Sequence, residues 1–104
     1  MRAVLALLAL AGCASWPGGI GAVLRYRPST RALYVERAPD EGAAARSGLR
    51  AGDRIVSIDG GAVEGLGEAD VRARLRGEVG THVRLRIERG GAEQDVDVER
   101  APYR

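Results

Sequence analysis

Apolar and polar positions alternate most clearly over residues 82–88, where Val83, Leu85 and Ile87 are separated by His82, Arg84, Arg86 and Glu88. A period of two predicts a strand with one face on the core. Gly90-Gly91 turns the chain, and residues 92–99 read as the returning strand, with Val96 and Val98 inward. The outward sets are then Arg84 and Arg86 on one strand and Asp95, Asp97 and Glu99 on the other. Opposite charges facing across a hairpin contribute about 0.2–1 kcal/mol per pair and help to set register. That is a structural arrangement, and His82 reads there as a solvent-facing residue rather than a ligand.

Earlier in the chain, residues 20–27 and 32–37 read as strands joined through Pro28-Ser29-Thr30, the second carrying Leu33 and Val35. Gly52-Asp53 leads into a β-rich run at residues 54–58, which Asp59-Gly60 closes with a turn dipeptide. Two segments carry helical spacing. Residues 43–47 form a short one, stopped by Gly48 at a C′ position and followed by Leu49 as an apolar plug. Residues 68–76 form a longer one, in which Val71 and Leu75 share a face with Glu68 and Gly77 ends the run. Strand, strand, short helix, strand, helix and hairpin make an α+β chain, a small, partly open β-sandwich or barrel with one short and one longer helix.

The N-terminus follows neither period. Met1-Arg2 precedes nine consecutive apolar residues, Ala3 to Ala11. A membrane-spanning helix needs about 20, so the pattern is that of a secretory signal peptide. Two cleavage readings compete: the small-x-small triplet Ala9-Leu10-Ala11, and Leu10-Ala11-Gly12-Cys13, which resembles the lipobox of bacterial lipoproteins. The second is more specific, because the only Cys in the chain occupies the position that would be acylated. The resemblance implies a leader at residues 1–12, a lipidated Cys13 and a short linker at 13–18. With Ala14 rather than Asp after the Cys, it implies a lipid-anchored envelope protein at the outer membrane, facing the periplasm. Five linker residues span at most about 20 Å, which would hold the domain close to the membrane.

Composition narrows the chemistry. All 16 basic residues are Arg, against 14 acidic residues, with one His and no Lys. A lysine base or Schiff base is therefore excluded, as is a Cys/His metal site or an internal disulfide. The charges are interspersed and Trp16, Tyr26, Tyr34 and Tyr103 are scattered, so the clustered basic face with stacking aromatics of a nucleic-acid binder is missing. No cofactor, metal or catalytic residue is expected.

The run Ala43-Ala44-Ala45-Arg46-Ser47-Gly48-Leu49-Arg50-Ala51-Gly52-Asp53-Arg54-Ile55-Val56-Ser57-Ile58-Asp59-Gly60 resembles the central signature of PDZ domains. Gly19-Ile20-Gly21-Ala22 resembles their carboxylate-binding loop. Arg76-Gly77 through Gly80-Thr81, then Val83-Arg84-Leu85 and Arg89-Gly90-Gly91, are similar to the PDZ modules of bacterial C-terminal processing proteases. The resemblance covers residues 19–101. It implies a module that binds protein C-termini or extended segments by adding them as a strand to an open sheet edge. Gly19, Ile20, Gly21 and Ala22 would meet the peptide carboxylate. Ile20, Ala22 and Leu24, closed by Leu75, would hold the last side chain, and Glu68 and Arg72 would read residues upstream. Apolar residues on facing elements are equally core, and Glu68 equally suits a helix first turn. The proteases add a Ser–Lys dyad on a separate domain. Their activity does not carry over to a chain without Lys, so the expectation is a non-catalytic, membrane-tethered module. The competing readings are a structural envelope lipoprotein with the groove unused, and a remnant or accessory of such a protease.

Overall fold

The computed structural model describes residues 17–102. The leader, Cys13 and most of the linker lie outside them. Nine strands, two α-helices and a 3-10 turn follow in chain order: β1 (Pro17–Gly19), β2 (Val23–Arg27), β3 (Ala32–Arg37), α1 (Ala43–Arg46), β4 (Arg54–Ile58), β5 (Gly61–Ala62), the turn Val63–Gly65, α2 (Glu68–Leu75), β6 (Gly77–Glu78), β7 (His82–Arg89), β8 (Ala92–Glu99) and β9 (Ala101–Pro102).

The larger sheet is antiparallel, in the order β2-β3-β4-β7-β8, with β5 paired to β4. The hairpin β7–β8 has the register that the alternation predicts, Val83 opposite Val98 and Leu85 opposite Val96. Val83, Leu85, Ile87, Val96 and Val98 are all buried. With Leu33, Val35, Ile55 and Ile58 they form the core, each such side chain contributing about 1.5–3 kcal/mol on burial. β4 does not alternate, because the pairing slips between Ile55 and Ser57. That bulge gives Val56 no partner and lets Ile55 and Ile58, three apart, point into the same core. Asp59 (φ 49°) and Gly60 (φ 87°) form the tight turn from β4 to β5.

The smaller sheet, in the order β6-β1-β9, has no counterpart in the sequence reading. Pro17 and Gly18, the end of the expected linker, pair with residues 77–78 and, through Gly18 and Gly19, with 101–102. Gly18 is required by close approach: a Cβ there would lie 2.9 Å from the Ala101 carbonyl oxygen. The strand expected over residues 20–27 begins only at Val23, because Gly21, at φ 70°, takes the chain out of extended conformation.

The expected helix over residues 68–76 stops at Leu75, and its end is built by Arg100. This buried guanidinium donates from Nε to the Leu75 carbonyl and from Nη2 to the Arg74 carbonyl, both at 3.0 Å. Nη1 donates to Thr81 Oγ1 and the His82 carbonyl. A cation there meets the negative end of the helix dipole and satisfies carbonyls that the helix leaves without partners. Gly77 clears room for this group, since a Cβ would sit 2.6 Å from Arg100 Nε.

A second buried charge locks the turn before β4. Arg89 forks onto Asp53, Nε to Oδ1 at 2.8 Å and Nη2 to Oδ2 at 2.7 Å, and the Arg50 N–H donates to the same carboxylate. Burial pushes the Asp53 carboxyl up, but the Arg89 and Arg50 hydrogen bonds and charges outweigh it and hold it below its ordinary value.

Candidate functional site

The two outer strands of the larger sheet are β2 and β8. The free edge of β2 borders a groove of about 790 Å³, whose opposite wall is the C-terminal half of α2. Of the residues singled out from sequence, Gly19, Ile20, Gly21, Ala22, Leu24, Arg72 and Leu75 line this groove. Glu68 does not. It lies one turn earlier, exposed, with its carboxylate 3.2 Å from Arg72. Beyond Leu24, the Tyr26 hydroxyl donates to the Leu66 carbonyl at 3.2 Å and ties β2 to the segment entering α2.

The apolar residues divide between floor and core. Ile20 and Leu75 are nearly buried, at 5% and 7% exposure, whereas Ala22 and Leu24 are half-buried and packed against the core beneath them. An apolar side chain entering from outside therefore meets Ala22 and Leu24 over a rigid floor. The loop before β2 packs on the start of α1: a Cβ on Gly21 would lie 3.0 Å from Ala43 N, and one on Gly42 would lie 2.7 Å from the Gly21 oxygen. Among the described residues, none of the turn, loop and cap hydrogen bonds uses the N–H of Ile20, Gly21 or Ala22.

Sequence reasoning missed the rest of the lining. Gly42, Ala43 and Arg46 come from α1 and its entry, Ala101 and Pro102 from β9, and Arg76 from the C-cap of α2. Arg76 carried a local signal, since it adjoins Leu75 at the helix end. For the β9 residues nothing local distinguishes a lining position from any other.

The charges expected on the hairpin are in register, Arg84 opposite Asp97 and Arg86 opposite Asp95. Arg86 holds Asp95 and Glu93, each at 2.9 Å, while Asp97 turns to His82 Nδ1 at 3.0 Å. His82 is exposed there. Among the described residues, no three His, Cys, Asp or Glu side chains converge as metal ligands would.

A family model described as a PDZ domain matches residues 34–89. The chloroplastic C-terminal processing peptidase of Tetradesmus obliquus is 37% identical over 86 residues, covering 82% of this chain and 18% of its own length. The carboxy-terminal-processing protease of Bartonella bacilliformis is 30% identical over 82 residues, 79% of this chain and 18% of the protease. This chain therefore spans less than a fifth of either relative. Among solved structures, the PDZ domain of the carboxy-terminal protease from Vibrio cholerae, in complex with a peptide, superposes with a TM-score of 0.72 at 28% identity. That match covers 84% of this chain and 96% of that one. The photosystem II D1 C-terminal processing protease gives 0.75 at 31% identity, covering 96% of this chain and 27% of its own. With its motifs, its strand order and its groove between β2 and α2, the chain belongs to the PDZ domain family and is similar to the PDZ modules of C-terminal processing proteases.

Proposed function

We propose that this chain is a non-catalytic, membrane-tethered module that captures protein C-termini or extended peptide segments by strand addition to β2. The observation that carries the reading is the groove itself: an unpaired strand edge, an apolar floor and a loop turned by Gly21 meet at one end. An added strand satisfies its main-chain groups on β2, and its alternate side chains enter the groove. The peptide-bound Vibrio cholerae domain supports the reading. The tether rests on Cys13 and its lipobox-like setting, and the non-catalytic assignment on the absence of Lys from these 104 residues.

The test is fluorescence anisotropy of the full chain with a library of C-terminal peptides, each as free acid and as amide. Losing a charge-assisted hydrogen bond costs about 1.5–3 kcal/mol, so amidation is expected to weaken binding by about tenfold or more. Ala22→Glu, which puts an unpaired carboxylate on the apolar floor, is expected to abolish it. Absence of any peptide binding at millimolar concentration would overturn the reading. Metabolic labelling with a radiolabelled fatty acid tests the tether, and label retained after Cys13→Ser would refute it.

A further inference from the structure

Resting on the reading of the groove as a strand-addition site, we propose that its occupant is an acidic C-terminal segment. Its last residue is apolar, and its third and fourth residues from the end carry carboxylates. The placement follows from the alternation of a strand. With the terminal carboxylate at the Gly21 loop, the last side chain enters between Ala22, Leu24 and Leu75. The third from the end returns to the same side, farther along α2, beside Arg72. The second and fourth point the other way, along the outer face of β2 where Val23, Arg25 and Arg27 are exposed.

The arginines around this path are held loosely. Arg25 is 3.6 Å from Glu36, with both side chains about half exposed. Arg27 lies 5.8 Å from the centre of the Tyr34 ring and has no carboxylate partner among the described residues. Arg72 reaches only Glu68, in an exposed pair one helical turn apart. The side chain of Arg76, at the carboxylate end of the groove, has no hydrogen-bond or ion-pair partner among the described residues.

Three arginines away from the groove are held tightly by carboxylates: Arg89 by Asp53 at 2.7 Å, Arg54 by Glu88 at 2.7 Å, Arg86 by two carboxylates at 2.9 Å. Among the described residues, Glu41 is the only acidic one lining the groove. A planar guanidinium fork on an apolar rim suits a carboxylate, and exposed cations released from weak partners lose little. Charge complementarity of this kind sets which peptide docks and how fast.

The test compares three peptides with one apolar C-terminal residue and Glu-Glu, Gln-Gln or Lys-Lys at the third and fourth positions from the end. Each is offered to the full chain as free acid and amide, at low and high salt. The Glu peptide is expected to bind about tenfold tighter than the Gln peptide at low salt, with Lys weakest, and the spread to shrink as salt rises. Arg25→Glu/Arg72→Glu is expected to invert the order while its thermal melt matches the parent's, both side chains being exposed. Free acids that bind equally, with amides that do not, would overturn the acidic preference and leave the groove intact. Free acids that bind no better than amides would remove the strand-addition reading and this inference with it.

Discussion

β2 and β8 are the two outer strands of one sheet, and they are built in opposite ways. Both present unpaired main-chain groups, which makes any outer strand a template for a further strand. β8 carries Glu93, Asp95, Asp97 and Glu99, all exposed, and its arginine partners lie within its own hairpin. Such an acidic edge repels another β8 and resists pairing. β2 carries Arg25 and Arg27 beside an apolar groove, ends at a glycine-turned loop, and has a helix standing off its edge. One edge is guarded and the other furnished. An open strand becomes a site only when neighbouring elements give it a floor, a wall and an end.

Substitutions break this contrast at different depths. The largest effect is expected beneath both edges. Arg89→Met leaves the Asp53 carboxylate buried without its fork, and losing one partner of a buried pair costs about 3–5 kcal/mol. Chemical denaturation should show that loss, with β2 and β8 failing together. It also has a pH signature. The folded pKa of Asp53 lies below its unfolded value, near 3.9, so the pair's contribution is full above that value and lost as pH falls through the folded pKa. The stability gap between parent and variant should therefore be widest near neutrality and narrow below about pH 4. A gap constant down to pH 2 would contradict the assignment.

Arg100→Met is expected to separate the edges. It strips the cap from the Arg74 and Leu75 carbonyls, at about 1–3 kcal/mol for groups left unsatisfied. Because Leu75 is the groove wall, amide hydrogen exchange should rise first at α2 and β6, with β7–β8 still protected. Uniformly faster exchange would argue against a local role.

The smallest effect on stability is expected at the guarded edge. Asp95→Thr/Asp97→Thr removes an exposed ion pair to Arg86, worth about 0–1 kcal/mol, and a hydrogen bond to His82, and deletes half of the strand's four acidic groups. Sedimentation should reveal association at high protein concentration that the parent lacks. A variant that stays monomeric would show that these acids are not the guard.

Parts of this contrast were legible before the structure. The hairpin, its register and its charges follow from the alternation of Val83, Leu85 and Ile87 against Val96 and Val98, because a one-residue slip would put every core side chain in water. The glycine-turned loop and the apolar residues of β2 were legible as a motif, and they line the groove with Leu75 and Arg72. Glu68 lies outside that lining, one turn before Arg72, where its charge and helix position fit a first turn as well as a reading role. Arg100 gave no local sign: an Arg at the end of an acidic strand looks like any solvated residue, and its acceptors lie up to 26 positions away.

By itself the sequence determined the long strands, the two helices and the turns, because side-chain period and backbone preference act over neighbouring residues. It also determined a chemistry without lysine. The tertiary structure decided the smaller sheet, whose strands of two or three residues have no period to display. It also decided the end of α2, which depends on a guanidinium arriving from the far end of the chain, and the lining that α1 and β9 bring to β2. These rest on contacts between distant residues, where the local pattern is silent and only packing of the whole chain determines which groups meet.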